Sequence, residues 1–76
     1  MNQKELYLKY LEFANYVENL YRNSELDITD VQFENAKDKI LLFAYMLGFR
    51  KVSKKNVGIL EKKYYQYKDE IEKARI

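Results

Sequence analysis

Residues 28–49 decide the fold, and they read ITDVQFENAKDKILLFAYMLGF. Thr29 is a good N-cap residue, and Gln32 follows it at the spacing of a capping box. From there apolar residues recur every three or four positions, as they do on one face of an α-helix. This face consists of Phe33, Ala36, Ile40, Phe43, Ala44 and Leu47. The pattern predicts a helix over residues 30–48, with Gly48 as its left-handed C-cap.

Two further helices are predicted on either side of this one. The first, over residues 2–22, has an apolar face made of Leu6, Tyr10, Phe13, Val17 and Leu20. The other, over residues 54–75, follows a second N-cap at Ser53 and has an apolar face made of Val57, Leu60, Tyr64, Tyr67, Ile71 and Ala74. Because the connections are short, neighbouring helices should pack antiparallel. We therefore predict an all-α fold, a three-helix bundle that forms one helical domain over residues 1–76.

The composition supports this class and limits the chemistry. Among 76 residues there is no Pro, and Gly occurs only twice, which disfavours turn-rich β folds. The chain has no Cys and no His, so it lacks the commonest metal ligands and the commonest general base. Its only aliphatic hydroxyl groups belong to Ser24, Thr29 and Ser53, two of which are predicted helix caps. We expect no enzymatic activity, no metal site, no cofactor and no small-molecule substrate.

The second helix carries more apolar residues than one buried face requires. Residues 40–47 are apolar around the whole helix, and such a helix is normally buried on every side. One interpretation is that it lies centrally in the bundle, with a few apolar side chains exposed singly. The other is a contact surface for a partner, which would also involve apolar residues of the first helix. The predicted partner-binding residues are Leu8, Leu11, Leu42, Tyr45 and Met46.

A binding function follows from the second interpretation. We expect a small non-catalytic protein that acts by protein–protein interaction, like the regulators and inhibitors of host proteins that phages and plasmids encode. A homodimer is the simplest form, since two-fold dimers are the commonest oligomers and a short chain has little core of its own. The chain has no apolar run of membrane-spanning length and no signal peptide at its start. We therefore expect a cytoplasmic protein without a membrane partner.

The net charge of +2 is distributed unevenly. Residues 1–49 carry five basic and eight acidic side chains, which gives −3. Residues 50–68 carry seven basic side chains and one acidic side chain, which gives +6, and residues 69–76 return −1. The basic segment spans a turn and the first part of the third helix. Such a segment indicates either a solvated face or a surface for an anionic partner such as nucleic acid.

The basic segment also supports an alternative function. Residues 44–49, AYMLGF, and residues 53–60, SKKNVGIL, together resemble a helix-turn-helix, although the turn and the last helix are longer than usual. The resemblance implies a small DNA-binding transcription regulator whose motif covers residues 44–63. The residues implied to face the major groove are Lys54, Lys55, Asn56 and Ile59, and those implied to contact phosphates are Arg50, Lys51, Lys62 and Lys63.

Overall fold

The computed structural model describes residues 1–76 and contains three α-helices and no strands. Helix α1 is Gln3–Arg22, α2 is Asp30–Phe49 and α3 is Lys54–Lys73. The predicted all-α three-helix bundle is therefore confirmed, with principal extents of 37 × 20 × 17 Å. The predicted bounds of 2–22, 30–48 and 54–75 agree with these helices to within two residues.

Each helix begins at a side chain that caps it. The Asn2 side chain accepts a hydrogen bond from the Glu5 backbone N–H at 2.8 Å, and Ser53 caps α3 in the same way. At α2 the Thr29 hydroxyl accepts from the Gln32 N–H, and the Gln32 side chain accepts from the Thr29 N–H at 2.9 Å. This reciprocal pair satisfies two backbone donors that the helix itself leaves free. The capping box predicted from the sequence is confirmed.

Tyr10 lies at the centre of the core, where all three helices meet. Its side chain is fully buried, and its hydroxyl donates a hydrogen bond to the Leu60 carbonyl of α3 at 2.6 Å. Its ring contacts Phe43 of α2 and Tyr64 of α3, with ring centroids 6.0 and 5.4 Å apart. Burial raises the pKa of Tyr10, so the hydroxyl remains a neutral donor. The other buried residues are all apolar or aromatic as well.

Helices α1 and α2 come into close contact at Gly48. The prediction that Gly48 ends α2 as a left-handed C-cap is wrong, because α2 continues to Phe49 and no glycine has a positive φ. The glycine is needed for space instead, since a Cβ atom there would lie 2.6 Å from the ring of Tyr7. The one left-handed residue is Ser24, with φ of 58°, directly after α1. Gly58 differs from Gly48, because nothing lies within 4 Å of its Cβ position.

The two glycines should respond oppositely to alanine. Gly58→Ala should raise the free energy of unfolding by about 0.5–1 kcal/mol, because alanine favours the helix and meets no neighbour. Gly48→Ala should lower it by about 1 kcal/mol, because the Tyr7 ring must move. Urea denaturation followed by circular dichroism measures both. Equal effects of the two substitutions would contradict this account, and Tyr7→Leu should reduce the cost of Gly48→Ala.

The C-terminal residues pair with the connection between α1 and α2. The Asp27 N–H donates to the Ala74 carbonyl at 2.8 Å, and the Ile76 N–H donates to the Glu25 carbonyl at 3.1 Å. This pairing explains why α3 ends at Lys73, two residues before its predicted end. A side-chain contact lies beside it. The Tyr16 hydroxyl donates to the Glu72 carboxylate at 2.6 Å, which raises the pKa of Tyr16 and lowers the pKa of Glu72.

Removing the Tyr16 hydroxyl should change the acid titration of Glu72. Because the pKa of Glu72 is lowered in the folded chain, its contribution to stability is complete above the ordinary glutamate range and is lost as the pH falls through the lowered value. In Tyr16→Phe the pKa of Glu72 should rise towards its ordinary value. NMR titration of the Glu72 carboxyl measures this change. Tyr65→Phe is the control, and an unchanged Glu72 titration in Tyr16→Phe would refute the assignment.

Candidate protein-interaction surface

Helix α2 has a second stripe of residues on the side that faces away from the core. Its members follow each other at steps of four and three positions, as residues on one helix face do. We call this set the outer stripe, and it consists of Val31, Asn35, Asp38, Leu42, Tyr45 and Phe49. All six side chains are exposed, whereas the opposite face of α2 buries Phe33, Ile40, Ala44 and Leu47. The stripe therefore has no partner within the chain.

The C-terminal half of the outer stripe is apolar. Leu42, Tyr45 and Phe49 have exposed fractions of 56%, 59% and 75%, which are high for such large side chains. The rings of Tyr45 and Phe49 stack with centroids 5.7 Å apart. Half-buried Met46 lines the same shallow depression. We call these four residues the outer patch, and clustered exposed apolar groups of this kind mark interaction sites.

The structure brings together three of the five residues that the sequence assigns to partner binding. Leu42, Tyr45 and Met46 lie in the outer patch. Leu8 is exposed too, but it lies in a separate groove at the seam between α1 and α2. Leu11 is half-buried and packs against the core. The candidate surface is therefore centred on α2.

Phe49 belongs to this surface and is missing from the sequence assignment. The sequence interpretation ends the helix at Gly48 and treats Phe49 as the apolar residue that follows a cap. The structure continues α2 through Phe49, so its ring falls on the outer stripe and reaches Tyr45. The signal was present in the steps 42, 45 and 49, which keep the helical spacing past the glycine.

Opposite charges flank the outer patch. Asp38 lies one helical turn before Leu42, and Arg50 follows Phe49 directly. Between them, residues 40–49 contain no charged side chain. Neither Asp38 nor Arg50 takes part in any of the five ion pairs of the chain. Both charges are exposed and free to meet a partner.

The basic segment, residues 50–68, forms a second surface that begins where α2 ends. None of its seven basic side chains forms an ion pair within the chain. Lys54 and Lys55 occupy the first turn of α3, which contains no acidic residue. Positive charge is unfavourable there because a helix N-terminus is itself positive. The exposed members of the predicted nucleic-acid set are Arg50, Lys51, Lys54, Lys55, Asn56, Ile59 and Lys62, and Lys63 is half-buried.

Helices α2 and α3 meet through a small number of side chains. The ring centroids of Phe43 and Tyr67 lie 6.1 Å apart. Ile40 and Ile71 line one cleft between the same helices. The main packing partner of α2 is α1.

The acidic side chains are dispersed over the structure, and the buried polar atoms are paired within the chain. Acidic side chains do not converge in groups of three or more anywhere in the structure. Every buried side-chain nitrogen or oxygen atom has a hydrogen-bond partner, so no polar group points unpaired into a cavity. None of the three helices is both long and apolar enough to cross a membrane. No known protein family, curated protein or solved structure matches this chain significantly.

Proposed function

We propose that this chain is a small non-catalytic binding protein, a regulator or inhibitor that acts by protein–protein interaction through the outer patch. The observation that carries the proposal is the exposure of Leu42, Tyr45 and Phe49 together in the uncharged C-terminal half of one helix face. A solvated face of a small helical bundle is normally polar. Three large apolar side chains on this face therefore favour a surface that is covered when the protein acts.

The residue types suit a binding role. Tyrosine and methionine are enriched at protein interfaces, and a tyrosine ring gives a large contact area at a low cost in side-chain entropy. The stacked Tyr45 and Phe49 rings form a rigid platform, with flexible Met46 beside them. The free charges of Asp38 and Arg50 supply a polar rim.

A capture experiment tests the proposal. The wild-type chain and the double variant Leu42→Glu/Tyr45→Glu are immobilised and exposed to nuclease-treated extract of the native host. The variant should lose the proteins that wild type retains, because each carboxylate places charge at the centre of the contact. Circular dichroism should show the same helicity for both chains, since both side chains are more than half exposed.

Ile59→Glu/Tyr65→Glu is the matched control. These α3 side chains are 43% and 55% exposed, and they receive the same added charge away from the outer patch. The control should retain what wild type retains. If all three chains capture the same proteins, the outer patch is not the binding surface and the proposal is refuted.

A second candidate is DNA binding through the basic segment. The observation that favours it is the absence of internal ion pairs at seven basic side chains, two of which lie in the first turn of α3. Basic side chains that bind phosphate release counterions, which makes binding strongly dependent on salt. The exposed apolar side chains of the outer patch favour the protein-interaction function over this one, because a basic helix face is stable in water without a partner.

Fluorescence anisotropy with duplex DNA tests the second candidate. Binding should weaken steeply as salt rises, and Lys54→Ala/Lys55→Ala should reduce the slope of log affinity against log salt by about 2. Lys4→Ala/Lys9→Ala on α1 is the control and should leave the slope unchanged. Absence of binding even at low salt would eliminate this candidate.

A further inference from the structure

We propose that the occupant of the outer patch is a second copy of this chain, held antiparallel about a two-fold axis that crosses the exposed face of α2 at the level of position 44. The inference rests on the proposed function, because it names the partner of the same surface. In this dimer the outer patches of the two α2 helices cover each other. Asp38 of each copy then pairs with Arg50 of the other.

The positions of the residues along α2 set this register. In an antiparallel two-fold pair, residues that face each other across the axis have a constant sum of sequence positions. Placing Leu42 against the second copy's Tyr45 puts the axis at position 43.5, and placing Asp38 against Arg50 puts it at position 44. The apolar contacts and the charge contacts therefore require the same axis to within one residue. One antiparallel register therefore accommodates both the apolar contacts and the charge contacts.

Charge decides between the two possible directions of packing. Asp38 lies 11 positions before Phe49, which is about 16 Å along the helix, and Arg50 follows Phe49 directly. A parallel two-fold pair would place Asp38 against Asp38 and Arg50 against Arg50, and like charges across an interface are repulsive. The antiparallel pair replaces both repulsions by two identical carboxylate–guanidinium contacts, which can be bidentate. Neither group has a competing ion-pair partner in its own chain.

Glu34 extends the same complementarity. It lies one turn before Asp38 and is exposed, and it makes no internal ion pair. The antiparallel arrangement brings the beginning of α2 in one copy to the end of α2 in the other, where the basic segment starts at Arg50. The acidic beginning of α2 in one copy therefore lies over the basic segment of the other. Acidic groups at one end of the patch and basic groups at the other end face each other when two copies pack antiparallel. The surface is therefore complementary to a second copy of itself.

Cysteine cross-linking tests the direction and the register, because the natural chain contains no cysteine. Asp38→Cys and Arg50→Cys chains are prepared separately and oxidised alone or after mixing. A covalent dimer should form efficiently only in the mixture. Self-linking of Asp38→Cys alone would indicate parallel packing and overturn the proposal. A Gln66→Cys chain, altered at an exposed α3 position, is the control for random collision.

Charge reversal tests the pairing without covalent bonds. Sedimentation equilibrium should show that wild type forms a dimer, and Asp38→Lys or Arg50→Glu should each raise its dissociation constant about tenfold. The double variant Asp38→Lys/Arg50→Glu should recover most of the affinity, because the reversed charges again face each other. Equal weakening in the single and double variants would overturn the proposal. Circular dichroism of these exposed-site variants verifies that the helices remain folded.

The two proposals can fail separately. A wild-type chain that remains monomeric at millimolar concentration overturns the two-fold dimer. The proposed function then still stands if Leu42→Glu/Tyr45→Glu loses a captured protein. A dimer that links through the mixed cysteines confirms the self-contact even where no other protein is captured from the extract. Any further protein that uses the outer patch must displace the second copy.

Discussion

The contacts of Tyr10 determine which side of each helix faces the core and which side is exposed. Its buried hydroxyl donates to the Leu60 carbonyl of α3, and its ring meets Phe43 of α2, so one side chain joins all three helices. Helix α1 thereby contacts both of the other helices, and α2 meets α3 through the rings of Phe43 and Tyr67. Each helix has one side turned inward by this arrangement. For α2, the side left outward is the one that carries Leu42, Tyr45 and Phe49.

The two charged surfaces of the molecule have a common origin in chain order. The acidic residues precede and open α2, whereas the basic residues follow its end and open α3. Antiparallel packing of short-looped helices keeps these groups at opposite ends of α2, about 30 Å apart for a 20-residue helix. Acidic side chains therefore lie at the beginning of α2 and basic side chains at its end, in addition to the dipole of the helix backbone. The outer patch lies between the two ends.

Most of the fold could be predicted from sequence, because caps and apolar spacing are local signals. Thr29 and Ser53 mark the helix starts, and the stripe residues of α1 are all buried. Gly48 shows the limit of this reasoning, since a glycine near a helix end is equally compatible with a C-cap and with a close approach to Tyr7. Only the packing of α1 against α2 decides between them. Because the predicted helix ends at Gly48, Phe49 is missing from the predicted surface residues. Helical spacing alone places Leu42 and Tyr45 on the exposed face.

The side chain of Gln3 has a consequence for recognition. Its amide donates to the carbonyls of Leu47 and Arg50, at 2.7 and 2.6 Å, and accepts from the Val52 N–H at 3.2 Å. These three bonds fasten the last turn of α2 to the start of α1, where helix ends ordinarily fray. The backbone that carries Phe49 and Arg50 is thus ordered before any partner arrives. Association at this end of the bundle therefore loses less conformational entropy than it would at a free helix terminus.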